Sequence, residues 1–251
     1  MSLFYYPDQK NYLEKQQIPY PTEEGFFSDT LGNQIHYWYS SSSKPIGKVL
    51  FFHGNAQNLS AHFMMLAWLL DHHYDLMIFD YPGYGKSSGV PTPESTVRSG
   101  VAAIEKANQF NPHLPLILYG QSLGGQILQK SVNLTHKIDY KMILLEGTFS
   151  SYKSVARNIL ERHWLTWLFQ PIGWIVMSDS WAGDPALISP KPIYIIHGKE
   201  DAVVPYEQGI QLYNKALSPK VFLPIEKGGH GNLYHIEQGQ YRKNLLDILK
   251  K

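Results

Sequence analysis

Short continuous apolar runs alternate along the chain with longer stretches in which apolar residues recur every three or four positions. Lys48–Phe52, Asp75–Phe79, Leu116–Tyr119, Lys141–Leu145, Ile193–Ile196 and Lys220–Pro224 read as strands buried on both faces. Helical spacing is expected over Ser60–His72, Glu94–Phe110 (capped by Thr92 or Pro93), Leu123–Leu134, Glu207–Leu217 and Leu233–Leu249. Strands of this kind, separated by helices, predict an α/β chain with a mostly parallel central sheet and helices on both faces. Ahead of them, Gly25–Ser28 and Asn33–Tyr39 flank a turn at Asp29–Gly32 and predict a hairpin. Residues 1–25 have no period and are expected as an irregular arm lying on the sheet edge.

One stretch departs from the alternation. Roughly forty residues separate the strand ending near Glu146 from the one starting at Ile193, more than a crossover helix needs. The bland reading is a long crossover with a small core of its own. The sharper one is a helical cap insertion, about 150–188, whose Trp164, Trp167 and Trp174 join Phe149 and Val203 in an apolar substrate pocket. A chain of 251 residues suits a single domain, 1–251, carrying the arm and the cap.

Composition narrows the function. A formal net charge of +1 carries no nucleic-acid footprint. With 0 Cys, disulfides, Cys-ligated zinc and a thiol nucleophile are excluded. His72-His73 lacks the i,i+4 spacing of a helical metal pair, and Gly83-x-Gly85 lacks that of a dinucleotide fingerprint, so no metal or cofactor is expected. Met1–Tyr20 does not read as a signal peptide, and no run of about 18 apolar residues suggests a transmembrane helix. A cytoplasmic protein acting on a small-molecule or lipid-like acyl substrate is expected, with peripheral membrane contact left open and no oligomeric state assigned.

The chemistry sits at strand ends. Leu116–Tyr119 runs into Gly120-Gln121-Ser122-Leu123-Gly124-Gly125 and then a helical pattern, which reads as a nucleophile elbow. Glycines around Ser122 make room for a tight, strained turn. A serine hydroxyl is a weak nucleophile and needs an imidazole to take its proton, and the imidazole needs a carboxylate. Gly229-His230 after the last strand and His197-Gly198-Lys199-Glu200-Asp201 after the strand before it supply both, in the order Ser, Asp, His. Glu146 is the rival acid and His235, inside the last predicted helix, the rival base. The backbone N–H groups of Asn55, in His53-Gly54-Asn55, and of Leu123 are the candidate oxyanion hole. His53 and His197 read as structural, and Asp80 as a tie for the turn that follows it.

Taken together, His53-Gly54-Asn55, Asp80-Tyr81-Pro82-Gly83-Tyr84-Gly85, Gly120-Gln121-Ser122-Leu123-Gly124, Leu145-Glu146-Gly147, His197-Gly198-x-x-Asp201 and Gly229-His230 resemble the α/β-hydrolase superfamily over about residues 25–250. The likeness is greatest to the serine aminopeptidase-like branch that includes monoglyceride lipases and α/β-hydrolase-domain depalmitoylases. It implies Ser122 as nucleophile, Asp201 as acid, His230 as base, and cofactor-free acyl transfer to water. The expected activity is hydrolysis of carboxylic esters or thioesters with a medium or long acyl chain. The alternatives are a serine aminopeptidase, with Glu146, Asp179 or Asp184 holding the substrate ammonium, and a non-catalytic ligand-binding protein on the same fold. Depalmitoylases of that branch carry an acylated or spanning N-terminal anchor, which this sequence does not show.

Overall fold

The computed structural model describes residues 4–135, 138–161 and 178–251. Ten strands occur among them: β1 (Tyr6–Pro7), β2 (Thr22–Ser28), β3 (Gln34–Ser40), β4 (Gly47–Phe52), β5 (Ala56–Gln57), β6 (Tyr74–Phe79), β7 (Leu116–Gln121), β8 (Met142–Glu146), β9 (Ile193–Gly198) and β10 (Lys220–Ile225). The α-helices are α1 (Leu59–His62), α2 (Pro93–Gln109), α3 (Leu123–Leu134), α4 (Tyr152–Glu161), α5 (Tyr206–Lys215) and α6 (Tyr241–Leu249). Eight strands form one sheet in the order β10-β9-β8-β7-β4-β6-β3-β2. From β6 to β10 every pairing is parallel, and β3 and β2 complete the sheet as an antiparallel hairpin. This is the α/β-hydrolase fold, with the sheet, the hairpin and the helices α2, α3 and α5 where the pattern predicts them.

The period of two along a strand builds both core layers. In β4, Leu50 and Phe52 point into a layer with Ile104 and Ile127, from α2 and α3. Val49 and Phe51 point into the opposite layer with Phe63, Leu66, Leu245 and Ile248. Helix α2 begins at a capping box, with Thr92 accepting from the Ser95 N–H and Ser95 accepting from the Thr92 N–H, and Pro93 at its first position.

Three expectations need correction. The helix predicted over Ser60–His72 is one α-turn, α1, followed by 3-10 turns at Phe63–Met65 and Ala67–His72. Phe63, Leu66, Ala67, Trp68, Leu69 and Leu70 are all buried, denser than one helical stripe presents, so the chain winds tighter to turn them all inward. The helix predicted over Leu233–Leu249 starts only at Tyr241. Leu233 and Tyr234 drop into the core from a turn, and Glu237, Gln238 and Gly239 all take positive φ before α6 begins. The arm is not confined to the sheet edge. It ends where β2 starts at Thr22, and its β1 pairs in parallel with β5 in a two-stranded sheet separate from the eight-stranded one.

Within the expected cap, α4 and the 3-10 turn at Pro185–Ile188 are described, and Tyr152, Val155 and Ile188 pack into the main core. Trp164, Trp167 and Trp174 lie outside the described residues. Among the described residues no helix is long and apolar enough to cross a membrane.

Candidate active site

Strand β7 delivers Ser122 to the carboxyl edge of the sheet, and α3 starts at the next residue. Ser122 sits at φ 54°, ψ −124°, a backbone conformation that L-residues rarely occupy and that a strained strand-to-helix turn enforces. The turn closes because Gly124 has no side chain: a Cβ there would lie 2.1 Å from the carbonyl oxygen of Phe52. The Ser122 N–H donates to the Glu146 carbonyl (2.9 Å), and the Thr148 hydroxyl donates to the Ser122 carbonyl (2.6 Å), so β8 and the residues after it grip the elbow.

The other two predicted side chains come to the same point. His230 Nδ1 lies 2.8 Å from Asp201 Oδ2, and His230 Nε2 lies 3.0 Å from Ser122 Oγ. An ionised carboxylate only accepts, so the proton belongs on Nδ1 and Nε2 is left to accept from the serine hydroxyl. Asp201 Oδ1 accepts from the backbone N–H groups of Val203 and Val204, both at 2.8 Å. Those bonds fix the orientation of the carboxylate. Asn232 Oδ1 accepts from the Gly229 N–H (2.9 Å) and so folds the loop that carries His230.

The rivals are engaged elsewhere. The Glu146 carboxylate accepts from the Tyr119 hydroxyl, whose oxygen is 2.9 Å from that of Tyr234. Burial raises the Glu146 carboxyl to about 7, against the Tyr119 hydrogen bond and the attraction of the His230 ring, with Asp201 nearby adding to the rise. His235 stands in the turn before α6 rather than in a helix. His197, fully buried, donates from Nε2 to the Val204 carbonyl (2.9 Å), and burial lowers its pKa. His53 is buried against Tyr81 and hydrogen-bonds the Gly54 carbonyl (2.8 Å), with burial holding it well below the usual imidazole range. Asp80 accepts from the Leu59 N–H (2.7 Å) and the His36 ring (3.1 Å), tying α1 and β3 to its own turn.

Ser122 and His230 open into a cavity of about 550 Å³, which is also lined by Asn55, Leu123, Phe149 and Val203. Asn55 is held from two sides: the Tyr84 hydroxyl donates to its carbonyl (2.6 Å), and the Tyr6 N–H to its Oδ1 (3.2 Å). Leu123 is the first residue of α3, where backbone N–H groups lack helical partners. None of the described lining residues is acidic. Of the candidate ammonium holders, Asp179 accepts from the Lys153 N–H (3.2 Å) and Asp184 caps the turn at Ala186 (3.0 Å). Among the described residues, no group of three His, Asp or Glu side chains could hold a metal ion.

Two features of the site were not anticipated from sequence. Gly147 takes φ +53°, and a Cβ on it would stand 3.2 Å from Asp201 Oδ2 and 3.4 Å from His230 Nδ1. Its position right after a strand, in Glu146-Gly147-Thr148, was the available signal. Phe4 and Tyr6 of the arm also line the cavity, and nothing in their spacing announces it.

Known proteins agree with this architecture. The family model described as "Serine aminopeptidase, S33" matches residues 43–177. The chain is 32% identical over 268 residues to the uncharacterized protein YfhR of Salmonella typhi, across 99% of this chain and 86% of that protein. It is 29% identical over 230 residues to human alpha/beta hydrolase domain-containing protein 17B, across 88% of this chain and 72% of that one. Among solved structures, the Pyrococcus furiosus esterase Pf2001 superposes with a TM-score of 0.77 at 14% identity, covering 98% of this chain and 97% of its own; at that identity the likeness speaks to the fold. The chain therefore belongs to the serine aminopeptidase S33 family and is a hydrolase of the α/β-hydrolase type.

Proposed function

We propose that this hydrolase cleaves carboxylic esters or thioesters of medium or long acyl chains through an acyl-enzyme on Ser122. The observation that carries the reading is the unbroken line Asp201–His230–Ser122, with contacts of 2.8 and 3.0 Å, opening onto a largely apolar cavity. Ser122 Oγ attacks the carbonyl carbon as His230 Nε2 takes its proton. The N–H groups of Asn55 and Leu123 receive the oxyanion. Collapse of the tetrahedral intermediate expels the alcohol or thiol, which takes the proton back from His230, and leaves the acyl group on Ser122. Water, deprotonated by the same ring, then releases the acid and restores the serine.

An aminopeptidase would need a carboxylate at the cavity to hold the substrate ammonium. The three candidates for that task make other bonds, which favours acyl esters over peptides. The esterase names of structural neighbours such as Pf2001 and the Exiguobacterium antarcticum enzyme EaEST fit this choice. The test is parallel turnover of p-nitrophenyl acyl esters and aminoacyl amides, with fluorophosphonate labelling mapped by mass spectrometry. Label on Ser122 with ester turnover supports the reading. Label elsewhere, or amide turnover alone, overturns it.

A further inference from the structure

The first described residues of the chain run through the site rather than past it. Tyr6 and Pro7 pair in parallel with Ala56 and Gln57, the residues directly after Asn55. On one side of this strand the buried Tyr5 reaches α2, its hydroxyl 3.4 Å from that of Thr96. On the other side, the Asp8 carbonyl accepts from the Gly85 N–H (2.9 Å) and its carboxylate from the Asn58 amide (3.0 Å). The segment is thus anchored at both ends, which is unlike a fraying terminus. Phe4 lies beyond the Tyr5 anchor. Its ring meets Tyr152 edge-on at 5.4 Å and Phe149 at 6.4 Å, and those two rings lie 5.3 Å apart. Phe4, Phe149 and Val155 all face the cavity that holds Ser122.

We propose that Phe4 is a specificity-determining wall of the substrate cavity: held in place by the β1–β5 pairing, its ring bounds the apolar end and sets the length of acyl chain accepted. This rests on the reading of Ser122 as an acyl-transfer nucleophile. An aromatic ring is a large, stiff stop, and removing it leaves apolar space that additional methylenes can fill. With the carbonyl carbon against Ser122, the Phe4 ring would meet the acyl chain rather than the bond being broken.

The experiment is a series of p-nitrophenyl esters from acetyl to dodecanoyl, run on the wild type, Phe4→Ala, Phe4→Leu and Phe4→Trp, alongside the labelling rate of Ser122 by a small ethyl fluorophosphonate. Phe4→Ala is expected to raise kcat/KM for the long esters relative to butanoyl by about tenfold, and Phe4→Trp to move the optimum toward shorter chains. The change should appear in KM more than in kcat, and labelling of Ser122 in the wild type reports separately on the acyl-transfer reading. Phe4→Leu keeps an apolar contact to Tyr152 and carries the same test, with a smaller shift, should the alanine variant fold poorly. Opposite shifts for a smaller and a larger side chain are not what a purely structural residue gives. Profiles that superimpose on the wild type, with Ser122 still labelled, overturn the proposal alone. A wild type whose Ser122 does not label overturns the acyl-enzyme reading and the proposal with it.

Discussion

The Tyr119 hydroxyl donates to the carboxylate of Glu146 on the neighbouring strand, and the Glu146 backbone carbonyl in turn accepts the N–H of Ser122. The residue whose backbone holds Ser122 thus carries a fully buried carboxyl, one oxygen of which, Oε1, has no hydrogen-bond partner among the described residues. Burial raises this group from its ordinary value of 4.5 to about 7. The folded state binds the proton more tightly than the unfolded chain. Its contribution to stability is whole below about 4.5 and is lost as pH rises through about 7, amounting to about 3 kcal/mol at most. Denaturant titrations of wild type and Glu146→Gln should diverge accordingly: the variant is expected to lose less stability than the wild type between pH 5 and pH 8.5. Parallel stability–pH curves would show that Glu146 does not carry this titration.

Asp201→Asn should keep the fold and remove the charge that holds the His230 tautomer. The amide can donate to Nδ1, which moves the imidazole proton to Nε2, where it faces Ser122 from the wrong side of the exchange. A fall in kcat of about 10³ to 10⁴ is expected with KM little changed, read from steady-state ester hydrolysis. His230→Ala should fall as far, and the double variant no further, because the residues act as one unit.

Gly147→Ala places a methyl group 3.2 Å from Asp201 Oδ2 on a residue at φ +53°. Both the backbone strain and the crowding act at the carboxylate. Thermal unfolding should show a loss of about 1 to 2 kcal/mol, accompanied by a drop in kcat. Gly32→Ala, at φ +82° with open space around it, is the control: a loss of stability of similar origin and no drop in kcat.

Asp80→Ala strips a buried carboxylate from the Leu59 N–H and from the His36 ring, leaving both without that partner inside the protein. Equilibrium denaturation should report a loss of about 3 kcal/mol. The effect belongs to stability, so ester turnover per folded molecule should change far less than in Asp201→Asn.

The sheet was legible because its strands are buried on both faces, as in Val49-Leu50-Phe51-Phe52, and such runs admit few other placements. The convergence of the candidate site was legible because glycines and the Ser, Asp and His side chains cluster just after those runs, so the topology gathers Ser122, Asp201 and His230 at one edge. Residues 60–72 were misread because an apolar content too high for one helical face cannot distinguish a helix from a string of tighter turns. Leu233 and Tyr234 were misread for a related reason: their apolar character fits a helix face as well as a turn that plunges into the core. The path of Phe4 and Tyr6 had no local signal at all, since their partners Phe149 and Asn55 are tens of residues away and backbone pairing leaves no periodic trace.

Tyr234 follows His230 by four residues, and its hydroxyl lies 2.9 Å from that of Tyr119, which sits three residues before Ser122. The two phenols rivet the segment bearing the imidazole to the strand bearing the serine. Ser122 and His230 thereby stand on a common footing set by a contact outside the cavity.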